Sequence, residues 1–293
     1  MRNRSTQAHM SALFALFHVF SATALALQHH DPALFWKHVD SRLSVVGDSE
    51  DTKRLRRFAS TAFDVLRGGS CSAPLAAGQE CDVPFPGLTA QPWWDTEAFE
   101  WAEAVEAGTA VIGAELDHFA SASTQDGQWL ESVTSLCSDT SGFAKLALRE
   151  DGEATAVGRR YFSQTLDLLR RANVPLSPRP VAINRQGPRT GLSAHSDNIN
   201  CILVCHVGVR VPPGCRFTML SDGTTETRSS REWATGELRI ADTSFVHRTT
   251  NDHATDSRYI LHFSVWHPDL TPIEVRGISA VHDALRAYEA DVS

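Results

Sequence analysis

Arg258-Tyr-Ile-Leu-His-Phe-Ser-Val-Trp266 alternates at period two: Arg258, Ile260, His262 and Ser264 fall on one face of an extended strand. Five further runs share this texture: Pro180 to Asn184, Asn200 to Val211, Cys215 to Leu220, Glu237 to Ile240 and Ser244 to Thr249. Gly, Pro and Asp turns separate them, and short strands at that spacing predict a sandwich or barrel. Upstream of Pro175 the periodicity is helical. Ser49 to Leu66 places Leu55, Phe58, Ala62 and Leu66 on one stripe and stops at Gly68-Gly69. Asp95 or Thr96 is positioned to cap one helix carrying Trp101, Val105, Ile112, Leu116 and Phe119. Arg159 to Arg171 is another amphipathic stretch, burying Phe162, Leu166 and Leu169. The predicted class is therefore mainly β with a helical N-terminal part (α+β).

With 293 residues, 42% of them hydrophobic, the chain has material for one large domain or two small ones. The 27 basic residues include only three lysines (Lys37, Lys53, Lys145), form no cationic block and are outnumbered by 35 acids. That excludes a nucleic-acid binder, which needs clustered cations to displace counterions from phosphates. Six cysteines without a Cys-x-x-Cys pair argue against a zinc ribbon or a thioredoxin-type site. Arg2 and Arg4 precede an apolar run, Ser11 to Leu27, that ends in the small residues Ala24-Leu-Ala26. This is the pattern of a secretory signal over residues 1–26, with a type II anchor or a plastid presequence as alternatives. A membrane contact is expected only if that segment is retained. In an oxidising compartment Cys71 and Cys81, flanking a short loop, are the best disulfide candidates. Cys201 and Cys205 read as small buried hydrophobes.

One constellation bears chemistry: His195-Ser-Asp197, His247 some fifty residues later, and Arg258 beyond it. Two imidazoles and a carboxylate on one face of an octahedron leave three positions open, as non-haem Fe(II) requires for a bidentate co-substrate and O2. His-x-Asp itself is weak evidence, since it recurs at His29/Asp31, His38/Asp40 and His267/Asp269. The copy at His195 is distinguished by the β-rich run after it, the later His and an Arg on a strand. An Arg directed into an apolar barrel needs a buried anion, which a dicarboxylate supplies. On spacing alone the constellation competes with satisfied core and surface histidines.

Three segments carry a family resemblance: His195 through Val209; Trp233-Ala-Thr-Gly236 with Ala241-Asp-Thr-Ser-Phe-Val-His247; and Arg258 through Val265-Trp-His-Pro-Asp-Leu-Thr-Pro272. Gly87-Leu-Thr-Ala-Gln-Pro-Trp-Trp94 adds a fourth. Together, over residues 85–275, they resemble the catalytic domain of the aspartyl/asparaginyl β-hydroxylases. The resemblance implies a double-stranded β-helix (jelly roll, cupin-like), Fe(II) as cofactor, and 2-oxoglutarate and O2 as co-substrates. It implies hydroxylation of the β-carbon of Asp or Asn residues in a peptide or protein substrate. Position by position, His195 and His247 become iron ligands and Arg258 the partner of the distal 2-oxoglutarate carboxylate. His206 matches a co-substrate contact, and Asn184 falls near a family Ser that helps bind the distal carboxylate. The chain departs from the pattern twice. Asp197 stands where animal members have Gly, which completes a facial triad, and Val204 stands where they carry an Arg for the metal-side carboxylate, leaving His206 more of that task.

The remaining candidates read as structural. His262 is a hydrogen-bonded core His or a co-substrate neighbour, and His267 is a packing residue. Asp242 and Ser244 fix the turn before His247, and Trp93-Trp94 is buried by default. The expected layout is a signal over 1–26, a helical region over 27–84, the dioxygenase-like domain over 85–275 and a helical tail over 276–293. The same chemistry on a lipid acyl chain or small molecule, or a non-catalytic jelly-roll binding protein, are the rival readings.

Overall fold

The computed structural model of the protein describes residues 31–44, 50–69, 71, 75–122, 130–131, 142–220 and 226–292. The signal-like segment and Cys137 lie outside the described residues. No helix among the described residues is long and apolar enough to cross a membrane.

The β-rich half folds as its alternation demands. Eight strands follow one another: β5 (Val181–Gln186), β6 (Thr190–His195), β7 (Ile202–Arg210), β8 (Cys215–Leu220), β9 (Glu226–Glu232), β10 (Leu238–Ala241), β11 (His247–Asn251) and β12 (Arg258–Trp266). β5, β7, β10 and β12 join one antiparallel sheet, while β6, β8, β9 and β11 form a second in the order β6-β11-β8-β9. The chain crosses between sheets at almost every turn, which is the winding of a double-stranded β-helix. Four earlier strands widen the larger sheet: β1 (Trp93–Trp94) beside β10, and β3 (Phe143–Glu150) beside β5 with β2 (Leu130–Glu131) and β4 (Glu153–Ala154) at its far side.

Two of these strands were not among the runs read as strands. β3 lies upstream of Pro175, in the half whose periodicity is helical, and Phe-Ala-Lys-Leu-Ala-Leu-Arg-Glu is rich in helix formers; pairing with β5 overrides that propensity. β6, Thr-Gly-Leu-Ser-Ala-His, has almost no apolar alternation to announce it.

The outer face of the large sheet is dry. Leu146, Ile183, Cys205, Val207, Leu261 and Phe263 pack there against helices α3 (Ala102–Ala107), α4 (Thr109–Ala122), α5 (Ala156–Tyr161) and α6 (Ser163–Arg171). The stripe Trp101, Val105, Ile112, Leu116, Phe119 is buried as expected, but on two helices rather than one. The chain breaks at Gly108, where a Cβ would stand 2.2 Å from the Leu168 side chain of α6. A larger residue there would require the Leu168 side chain to shift. The second amphipathic stretch also divides, at Phe162, whose ring is fully buried in the same core.

A separate core joins α1 (Pro32–Leu43), α2 (Glu50–Leu66) and the C-terminal α7 (Pro272–Val292). Phe35 stacks on Phe63 at 4.2 Å, and Tyr288 meets both rings edge-on. Gly68, at φ 84°, ends α2, and the Gly69 amide donates to the Asp64 carbonyl. Ile199, Cys201 and Ile202 belong to this core, so the N- and C-terminal helices clamp the segment that follows Asp197. The expected Cys71–Cys81 disulfide does not form: Cys81 is a buried thiol whose Sγ donates to the Asn198 carbonyl at 3.1 Å.

Candidate metal and anion site

His195 closes β6 and His247 opens β11, and antiparallel pairing sets them opposite each other, with ring centroids 4.3 Å apart. Asp197, two residues past His195, is drawn in by its own amide, which donates to the Thr243 carbonyl at 2.8 Å. One ligand atom from each of the three lies within 4.8 Å of the others. Both imidazoles are oriented by main-chain acceptors: His195 Nδ1 donates to the Ser193 carbonyl at 2.7 Å and His247 Nδ1 to the Phe245 carbonyl at 2.9 Å. A carbonyl only accepts, so each Nδ1 carries the proton and each Nε2 keeps its lone pair for a metal.

Asp197 is held as firmly. Its Oδ2 accepts from Arg179 Nη1 at 3.0 Å and from the Thr243 hydroxyl at 2.9 Å, which leaves Oδ1 turned toward His195 Nε2 at 3.9 Å. Burial pushes this carboxyl up, but Arg179, both imidazoles and Thr243 together hold it well below the usual carboxylate range. Burial lowers His247 to about 4, so it is a neutral ligand at physiological pH. The supporting loops are pinned as well. Ser244 donates through its amide and hydroxyl to Asp242 Oδ1, and Ser196 donates to the carbonyls of Glu80 and Ser244.

The inner face of the large sheet carries the second half of the site. Arg258 is 1% exposed, its guanidinium lies 4.0 Å above the Trp233 ring, and its Nε and Nη1 meet no hydrogen-bond partner. No carboxylate among the described residues pairs with it, and burial lowers it to about 10. Asn184 Oδ1, His206 Nδ1 and Ser264 Oγ on the same face are also buried without partners. His206 Nε2 and His262 Nδ1 are 3.0 Å apart, and burial keeps both rings neutral, His262 at about 3. His206 lies within electrostatic reach of both Arg258 and His247, between the ligand cluster and the buried cation. The residues present fit a divalent metal with a chelating dianion behind it: three hard or borderline donors at one point, and a naked guanidinium deeper in the barrel.

The profile of the aspartyl/asparaginyl beta-hydroxylases matches residues 106–268, more than half of the 293-residue chain. The chain belongs to this family. Among aspartyl/asparaginyl beta-hydroxylases it is 27% identical over 201 residues to the human protein and 26% identical to the mouse protein, covering 67% of this chain in each case. The match spans about a quarter of those relatives' own length, 25% and 26%. A Xenopus tropicalis aspartate beta-hydroxylase domain-containing protein 2 is 24% identical over 96 residues, 32% of this chain and 24% of its own. Among solved structures, a Pseudomonas putida prolyl-4-hydroxylase is 14% identical at a TM-score of 0.35, over 72% of this chain and 98% of that one.

All six predicted site residues lie inside the family match: the fold clusters His195 and His247 of the smaller sheet with Asp197 just past β6, and sets Asn184, His206 and Arg258 on the inner face of the large sheet. Val204 is also on this inner face, in register with Ser264 and Ala241. His267 is structural as expected, its Nε2 donating to the Thr89 carbonyl and its ring edge-on to Trp94. Sequence reasoning missed Arg179, Thr243 and Trp233. Arg179 sits in Ser177-Pro-Arg-Pro180, outside any strand, and no local pattern marks it as the partner of Asp197.

Proposed function

We propose that this beta-hydroxylase family member is an Fe(II)- and 2-oxoglutarate-dependent dioxygenase that hydroxylates the β-carbon of an Asp or Asn residue in a peptide or protein. The observation that carries this reading is Arg258, a fully buried cation without a carboxylate partner among the described residues, on the wall behind a two-His, one-carboxylate cluster. Leaving such a charge uncompensated is costly, and an anionic co-substrate removes the cost.

His195, Asp197 and His247 would hold the metal, with Arg179 and Thr243 keeping Asp197 to a single donating oxygen. Bound iron supplies the chemistry: O2 is reduced with electrons from oxidative decarboxylation of 2-oxoglutarate, giving succinate and CO2, while one oxygen atom enters the substrate C–H bond. Arg258 takes the distal carboxylate of the co-substrate, and Asn184 is placed to assist from the neighbouring strand. His206, fixed by His262, offers Nδ1 to the co-substrate where Val204 has no polar group. Trp233 and Phe217, stacked at 5.3 Å, shield the guanidinium from water.

The test is anaerobic absorption spectroscopy of the protein with Fe(II) and 2-oxoglutarate, followed by succinate formation in air. A charge-transfer band that disappears in Arg258→Met and His247→Ala supports the reading. Its absence in the unaltered protein overturns it.

A further inference from the structure

The inner face holds one more cation that the proposed chemistry leaves unused. Lys145, on β3, is in register with Asn184 of β5, and Leu146 and Leu148 beside it turn to the opposite, dry face. Lys145 therefore shares the face of Asn184, Arg258 and His262. It is partly buried and makes no hydrogen bond or ion pair with a described residue.

The direction its side chain takes follows from its neighbours. β3 runs so that Ala147 meets Ala182 and Arg149 meets Val181, the first residue of β5. The charges within reach of the ammonium are Glu150, at that same end of β3, and Arg179, two residues before β5. Arg179 is the residue that grips Asp197, so the Lys145 ammonium lies within electrostatic reach of the group that holds the metal-end carboxylate. Arg258 is opposite Gln186, at the other end of β5. Burial lowers the Lys145 ammonium below its usual value, against the pull of Glu150, as expected for a desolvated charge without a close anion.

The charges can now be assigned. In the proposed function one carboxylate of 2-oxoglutarate goes to Arg258 and the other to the metal, and Asp197 occupies Arg179. Nothing in that scheme meets Lys145. We propose that Lys145 forms a second anion site beside the metal cluster, taking the side-chain carboxylate of an aspartyl substrate in preference to an asparaginyl amide or an acyl chain. This inference rests on the proposed function and narrows its substrate residue from Asp or Asn to Asp. A carboxylate held there also orients the adjacent β-carbon, since a charge-assisted bond to an ammonium fixes one end of a short side chain.

The experiment uses two capped peptides that differ only in a central Asp or Asn and carry no other charge. Binding is measured by calorimetry to the full chain with Mn(II) and 2-oxoglutarate in the absence of O2. The Asp peptide is expected to bind about fivefold or more tightly than the Asn peptide. Lys145→Gln removes that preference with Asn-peptide binding unchanged, and Lys145→Arg restores it. Equal binding of the two peptides, binding of neither, or a preference that survives Lys145→Gln overturns the second anion site. The Fe(II)–2-oxoglutarate band is read in the same proteins. A band weakened by Lys145→Gln transfers the lysine to the co-substrate and also overturns the proposal. A band absent from the unaltered protein overturns the proposed function, while the peptide preference still decides the anion site separately.

Discussion

The two faces of the large sheet are built from the same strands, and one-residue alternation gives them opposite chemistry. On β12 the outward residues Leu261, Phe263 and Val265 enter the apolar core beneath the helices, while Arg258, His262 and Ser264 line the cavity. On β7 Cys205 and Val207 face out, and His206 faces in. The outer face is filled by apolar packing. Along the inner face, Arg258, Asn184, His206 and Ser264 hold buried polar atoms without partners. A protein tolerates such a cluster when a ligand completes it, so the division of labour is legible as stability on one side and binding on the other.

The largest effect should come from breaking the metal end of the inner face. His247→Ala is expected to reduce succinate formation to the background without enzyme, with the thermal midpoint little changed. The matching outer-face change is Phe263→Ala, at a fully buried ring that packs edge-on against Trp101. It should cost about 3–5 kcal/mol in a denaturant titration, with activity per folded molecule preserved. If Phe263→Ala instead lost activity without losing stability, the contrast between the faces would be wrong.

Intermediate effects sharpen the comparison. Arg179→Gln should weaken Fe(II) binding about tenfold or more in a metal titration, because Asp197 loses the partner that orients it. Arg258→Met should leave the ligand-free protein as stable as before or stabilise it by about 1–3 kcal/mol, since a buried charge is replaced by an apolar chain of similar length. The same variant should lose the rise in thermal midpoint that 2-oxoglutarate gives the unaltered protein.

The last effect is a pH slope. Burial depresses His262 to about 3 and His206 well below its ordinary value. Below the ordinary histidine value, near 6.5, the unfolded chain binds protons that the folded one refuses. Stability is therefore complete above about pH 6.5 and is lost progressively on acidification toward pH 3. Replacing His262 with Gln should flatten the curve by roughly 1.4 kcal/mol per pH unit within that window, measured by urea melts from pH 4 to 7.

Legibility in the sequence followed the local signal. β12 and β8 were read to the residue because short apolar-rich runs bounded by turn residues mark them. β9, Glu-Thr-Arg-Ser-Ser-Arg-Glu, passed unread: it lies at the margin of the smaller sheet, where polar residues carry no period. The close packing at Gly108 was invisible for another reason, since it involves Leu168, sixty residues away. The His195, Asp197, His247 and Arg258 set was visible because its residue types and strand positions are unusual together. Arg179 and Lys145 were not, because a single cation acquires meaning only from what faces it.

The sequence by itself determined the alternation of the strands, the donors a metal would use and the family to which they belong, all of which depend on residue type and short-range order. Tertiary structure alone decided that Arg179 holds Asp197, that Ser193 and Phe245 set the tautomers of the two imidazoles, that Cys71 and Cys81 stay apart, and that Lys145 shares the inner face with Asn184. These are matters of which groups approach within a few ångströms after the sheets close, and register and packing fix that, not the identity of any one residue.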